Sequence, residues 1–430
     1  MKPNELPAWQ AARLLATREL SATALMRACL DRIAEREAEV HAFVHLDPDA
    51  ALAQARALDS GPWRGPLHGL PLGVKDLFDT ADMPTGYGSA VYAGHRPAAD
   101  AAAVTLCREA GALLSGKTVS TEFAYFHPGP TRNPRGLGHT PGGSSSGSAA
   151  AVADAMLPLA LATQTAASVI RPAAYCGIVG YKPTWGRVSR AGVKSLSETL
   201  DTVGALGRNV RDVALLGSVL TGDARLMPGL DGSSPTAAAP RIGLCRTPDW
   251  AQADADVQAA WDQAVGALAP QAARLADVPW PAALPDLVAL QKQVMAHEMA
   301  RALGHERVHH RARISERLNA LFDEGIQIDG ERHAAQLAQT TAARALADRW
   351  FNDVDLLLAP STTGEAPEGI GATGDPLFCR GWTLLGLPCV HLPFARGRHG
   401  LPVGLQLVGR AGDDHRLLAA AQWCWERLSA

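Results

Sequence analysis

Residues 138–183 read GHTPGGSSSGSAAAVADAMLPLALATQTAASVIRPAAYCGIVGYKP, and the rest of the chain is best read outward from them. A Gly/Ser loop opens the stretch, a helix of small residues follows, then an apolar strand, then a second serine trailed by Arg171. A segment so rich in Gly, Ala and Ser is either a linker or a place where backbones pack closely. The apolar run at 156–161 decides for close packing, because flexible linkers lack such runs. The stretch is therefore a buried core segment carrying two hydroxyls, Ser144 and Ser168.

At 430 residues the chain can build a large core, and length alone would suggest two or three domains. Its 40 Lys and Arg against 43 Asp and Glu leave a net charge of -3, which excludes a basic nucleic-acid footprint and an acidic tail. The seven cysteines are scattered and form no CxxC, the usage of reduced thiols in a cytoplasmic protein. The N-terminal residues lack the basic-then-apolar order of a signal peptide. No run approaches ~18 uninterrupted apolar residues, so no membrane span is expected.

Along the chain, Ser21 reads as the cap of an amphipathic helix with Leu25, Met26, Cys29 and Ile33 on one face. Further helices are expected at 48–58, 99–112, 254–275 and 285–350, and from 414 onward. Strands are expected at 70–76, 112–119, 241–245, 354–360 and 401–408. The stretch 222–240 reads as a connector and 362–376 as a Gly/Pro loop. Strands alternating with helices predict an α/β fold, a largely buried mixed sheet with helices on both faces. The strand at 70–76, LPLGVKD, ends in a charged pair. A lysine there is unusual, since desolvating an ammonium is expensive.

Two short motifs compete for the chemistry. Residues 111–118, GALLSGKT, match GxxxxGK[ST] letter for letter. A phosphate-binding loop needs a strand before it and a helix after it. Here the order is reversed, so the motif reads as a strand. His305, Glu306 and His309 spell HExxH, which on a helix would put two imidazoles on one face with the Glu as base on a zinc-bound water. Arg301, Arg307, Arg311 and Arg313 crowd the same segment and disfavour a dication, so a solvated basic helix is the preferred reading and a zinc hydrolase the alternative.

The third set is longer. GLPLGVKD, TRNP, PGGSSSGSAAAVA, TQTAASVIRPAA, GIVGYKPTWGRVS and GLPVGLQLVGR occur in order across nearly the whole chain. In them the sequence resembles the amidase signature family of serine hydrolases, most of all its short bacterial members acting on small dicarboxylic monoamides, the malonamidase type. The resemblance implies one amidase domain over 1–430, with a pocket-shaping segment at about 282–350. It implies Ser168 as nucleophile, Ser144 as a bridging serine after a cis peptide bond, and Lys75 as base. It further implies an oxyanion hole from the backbone N–H groups of Thr165, Ala166, Ala167 and Ser168. No metal or other cofactor is implied, and a homodimer is compatible with it.

An alcohol is a poor nucleophile near neutral pH and needs a base. At the ordinary lysine pKa only about one Lys75 in 2,500 would be neutral at pH 7, so its site must depress that value. The resemblance assigns Arg171 to a substrate carboxylate, against a structural role holding adjacent loops, and gives Thr163 and Gln164 as further substrate contacts. One departure stands out: Ala166 and Ala167 occupy positions where the family usually has glycine. If either needs a positive φ, alanine would be strained by ~1–2 kcal/mol, and a weakened or inactive amidase-like scaffold is the alternative from a different class. The expected reaction is hydrolysis of a C–N bond in a small amide or carbamate (urethane), either an acidic monoamide or a neutral aryl or alkyl substrate. An amidotransferase component with protein partners is a further alternative.

Overall fold

In the computed structural model, which describes residues 1–227 and 238–429, the strands are β1 Phe43–Leu46, β2 Pro71–Lys75, β3 Leu113–Thr118, β4 Leu159–Gln164, β5 Val179–Lys182, β6 Thr202–Gly207, β7 Arg241–Leu244, β8 Arg274–Asp277, β9 Leu356–Pro360, β10 Cys389–Arg396 and β11 Pro402–Gly409. All eleven join one sheet in the order β1-β3-β2-β4-β6-β5-β10-β11-β9-β7-β8. Pairing is parallel at β3/β2/β4 and β9/β7/β8 and antiparallel elsewhere.

Alternation along the strands sets the layers. On β9, Leu356 and Leu358 enter one apolar cluster, while Leu357 and Ala359 enter another. The first cluster packs helices Ala22–Val40, Val210–Thr221, Ala255–Leu268 and Asp414–Leu428 on one face. The second packs Leu287–Ala302, Glu316–Ile326 and Leu377–Leu384 on the other. With both faces covered, the central strands are buried at every residue, which is why they read as apolar runs.

The small-residue stretch lies where packing is tightest. Helix Ser146–Ala153 is buried at every position. A methyl added at Gly147 would sit 2.1 Å from the Ala42 carbonyl oxygen and 2.4 Å from the Val119 nitrogen. Only glycine lets that helix approach the end of β3.

The expected strands appear as β2, β3, β7, β9 and β11, and Ser21 caps its helix by accepting from Ala24 N at 3.1 Å. Two helical expectations need correction. The helix expected over 254–275 stops at Leu268, before Pro270, and the chain turns into β8. The pattern over 285–350 is four helices, Leu287–Ala302, Gly304–His309, Glu316–Ile326 and Gly330–Asp348. Fresh caps at Ser315 and Asp329 restart the last two. Of the connector expected at 222–240, residues 228–237 lie outside the described residues.

Candidate active site

β2 delivers Lys75 to the sheet end with no solvent exposure. Its Nζ lies 2.7 Å from Ser144 Oγ and 2.7 Å from Thr163 Oγ1. No carboxylate comes within ion-pair distance of it among the described residues. Burial pushes its pKa well below the ordinary lysine value, opposed only by the more distant Asp201 carboxylate. Asp76, the next residue, points to the other face and pairs with Lys117 at 3.3 Å.

Ser144 follows a cis peptide bond from Gly143. Arg171 braces that corner: its Nη2 donates to the Gly143 carbonyl at 2.8 Å, and its Nη1 donates to the Gly374 carbonyl. Both terminal nitrogens of Arg171 are thus held by backbone, the loop-holding arrangement.

Between β4 and the helix Ile170–Cys176 the chain makes the turn that carries Ser168. Gln164 pins it from inside, with Oε1 accepting from Val169 N at 2.9 Å and Ile170 N at 3.1 Å. Its Nε2 donates to Thr383 Oγ1 at 2.9 Å, and Thr383 in turn donates to the Ala166 carbonyl at 2.7 Å. Gln291 Nε2 donates to the Thr165 carbonyl at 2.9 Å, and the Thr165 hydroxyl donates to Asp201 Oδ1 at 2.6 Å. The carbonyls of the turn are therefore tied down. Its backbone N–H groups, those of Thr165, Ala166, Ala167 and Ser168, find no acceptor among the described residues. Four adjacent unpaired donors in a buried turn are an arrangement that can receive negative charge.

Neither Ala166 nor Ala167 has a positive φ, so the strain expected of alanine there is absent. The Gln164 amide is spent within the turn, unlike the substrate contact expected of it. Thr163 meets Lys75 and also lines a cavity beside the turn.

Ser168 Oγ makes no hydrogen bond among the described residues. It faces a small pocket lined by Tyr125, Phe126, Arg171 and Met295. Thr165, Ala124 and Leu196 are shared between this pocket and a cavity of about 330 Å³, which is walled by Thr163, Arg190, Lys194 and Asp201. Met295 and Gln291 come from the helix Leu287–Ala302, within the segment expected to shape the pocket. Sequence reasoning misses Asp201, Gln291 and Thr383, because no local motif marks them; distant elements bring them to the turn.

The competing motifs are used elsewhere. Lys117 of GALLSGKT lies in β3, with Nζ 2.8 Å from the Phe78 carbonyl and 2.6 Å from Thr85 Oγ1. Glu306 of HExxH is buried and committed to Lys194 and the Tyr92 hydroxyl. No group of three or more His, Cys, Asp or Glu side chains is placed to hold a metal ion among the described residues.

The Amidase family model matches residues 24–418, and the chain belongs to that family. It is an amide hydrolase of the amidase type. A glutamyl-tRNA(Gln) amidotransferase subunit from Chloroflexus aggregans is 36% identical over 460 residues, 94% of this chain and 92% of that protein. A crystal structure of an amidase superposes with a TM-score of 0.88 at 32% identity, covering 98% of this chain and 100% of the other. The native peptide amidase of Stenotrophomonas maltophilia does so with a TM-score of 0.83 at 29% identity, covering 99% and 97%.

Proposed function

We propose that the chain hydrolyses a C–N bond of a small amide or carbamate through Lys75, Ser144 and Ser168. The observation that carries this reading is a lysine depressed toward its neutral form, 2.7 Å from the hydroxyl of Ser144. Neutral Lys75 accepts the Ser144 proton as Ser144 accepts that of Ser168. Ser168 Oγ then attacks the carbonyl carbon, and the oxyanion rests on N–H groups of the 165–168 turn. The relayed proton leaves with the amine, and water, activated by the same relay, releases the acyl group. A carbamate would release carbon dioxide and an alcohol at that last step. Ser144 and Ser168 are not hydrogen-bonded to each other among the described residues, and the relay requires that contact to form in the complex with substrate.

We treat residues 1–430 as one domain, with the helices of 282–350 shaping the acyl pocket. The cysteines are all free and buried, which supports a reducing, cytoplasmic compartment. Similarity to an amidotransferase component favours a second reading, in which the same chemistry serves a protein assembly. The test is fluorophosphonate labelling of the purified chain with peptide mapping, with and without chelator. A chelator-insensitive adduct on Ser168, lost in Lys75→Ala, is expected. An adduct elsewhere, or one indifferent to Lys75, would reject the relay. Turnover of small amides by the chain alone would reject an obligatory partner.

A further inference from the structure

We propose that Arg380, and not Arg171, takes up an anionic end of the substrate, so that the acyl portion carries a carboxylate. This rests on Ser168 being the nucleophile. Arg380 lies on the helix Leu377–Leu384, one turn before Thr383, whose hydroxyl holds the Ala166 carbonyl. It is 5% exposed and has no carboxylate within ion-pair distance among the described residues. Among the described residues its single hydrogen bond runs from Nη1 to Gln291 Oε1. The Nε and Nη2 edge is left over, the side of the guanidinium fork that matches a carboxylate with two parallel bonds.

Among the described residues the surroundings hold no carboxylate paired with either arginine. Arg171 and Arg380 converge on one ring, their guanidinium carbons 5.3 and 5.9 Å from the centre of Phe126. Burial and the neighbouring charge of Arg171 push Arg380 down to about 10. The groups that act on it in the other direction are Asp375, which is exposed and ion-pairs with neither arginine, Tyr125 and Cys379, both held neutral by burial. Two buried cations with no anion are costly unless a ligand supplies one. Arg171, which lines the Ser168 pocket, has both terminal nitrogens on backbone carbonyls and only its buried Nε unpartnered, so a fork of two free nitrogens is offered by Arg380 alone of the pair. Phe126 and Thr165 connect it to the reacting centre, since both line the Ser168 pocket and Arg380 meets the first directly and the second through Gln291.

The experiment is competition against fluorophosphonate labelling of Ser168 in the full chain, using succinate as probe and succinamide as its neutral counterpart. Succinate is expected to slow labelling of the wild type at concentrations where succinamide does nothing. Arg380→Gln is expected to need about 100-fold more succinate for the same fractional protection, read against that variant's own uncompeted labelling rate. Equal effects of the two probes on wild type, or unchanged succinate protection in Arg380→Gln, would overturn the proposal. If Arg380→Gln melts before the assay temperature, Arg380→Lys decides: about tenfold weaker protection supports the bidentate edge, and unchanged protection rejects it. If the wild type takes no label, the nucleophile assignment has failed instead. Succinate binding to wild type and Arg380→Gln by calorimetry then still decides the role of Arg380.

Discussion

Lys75 and Lys117 stand on neighbouring strands, both without solvent exposure, and are surrounded for opposite ends. The register sets Val74 beside Lys117 and Lys75 beside Thr118, which sends the two side chains to opposite faces. Lys117 finds the Asp76 carboxylate at 3.3 Å together with carbonyl and hydroxyl oxygens. Lys75 finds two hydroxyls only. Burial lowers both pKa values, and only at Lys117 does a contacting carboxylate oppose it. Depth in the core is thus shared, and the neighbours differ: Lys117 is paired as a brace, while Lys75 has the unpaired surroundings that the proposed relay requires. The lysine inside the phosphate-loop spelling is the brace.

Replacing each lysine by methionine separates the roles. Lys75→Met is expected to cut Ser168 labelling by about 10²–10⁴-fold, the usual worth of a positioned base. The same change stabilises the fold. Because the folded pKa of Lys75 lies below its unfolded value, the unfolded chain binds a proton that the native chain lacks anywhere between the two. Native Lys75 therefore costs stability progressively as pH falls from about 10.4, by about 1.4 kcal/mol per unit of depression, and methionine has no such cost. Denaturant midpoints at pH 7 and pH 10 check it: the Lys75→Met advantage must be larger at pH 7. Lys117→Met is expected to do the reverse, destabilising by about 3–5 kcal/mol by leaving Asp76 buried without its cation. The double variant Lys117→Met/Asp76→Leu recovers much of that loss. A Lys117→Met protein as stable as wild type would erase the contrast.

The pH profile of wild-type labelling sharpens it further. On the proposed relay, labelling requires neutral Lys75, so the rate is expected to rise with pH and level off well below the ordinary lysine pKa. The limb disappears in Lys75→Met. A rise centred near ~10.4 would mean that Lys75 is charged like any surface lysine.

Much of this contrast was legible in sequence, and its limits are physical. The strand-end lysine, the two serines and the small-residue helix stand in long ordered motifs, because close backbone approach leaves few residue types that fit. The helix ends at Ser315 and Asp329 were present as capping residues, but the continuous helical pattern masked them. β8 is partly exposed along its length, so it lacks the apolar run that marks a buried strand. Thr383, Gln291 and Arg380 act through side chains that cross from one layer to another, and no local period encodes such a meeting. The alanines before Ser168 read as a defect only under the assumption of a positive φ, which the turn does not use.

The smallest effect tests the contrast most directly. Thr163→Val keeps the side-chain volume and removes one of the two oxygens around Lys75. A lost hydrogen bond of this kind is worth about 1 kcal/mol, so labelling on the plateau is expected to fall only about fivefold through looser positioning of the amine. The ammonium also loses solvation that the hydroxyl supplied, so the charged form becomes less favourable and the limb of the pH profile moves to lower pH. If Lys75 were held as a charged brace like Lys117, its protonation would be fixed by a carboxylate and the limb would not follow Thr163. A limb that stays in place in Thr163→Val, or moves to higher pH, would therefore collapse the distinction between the two lysines.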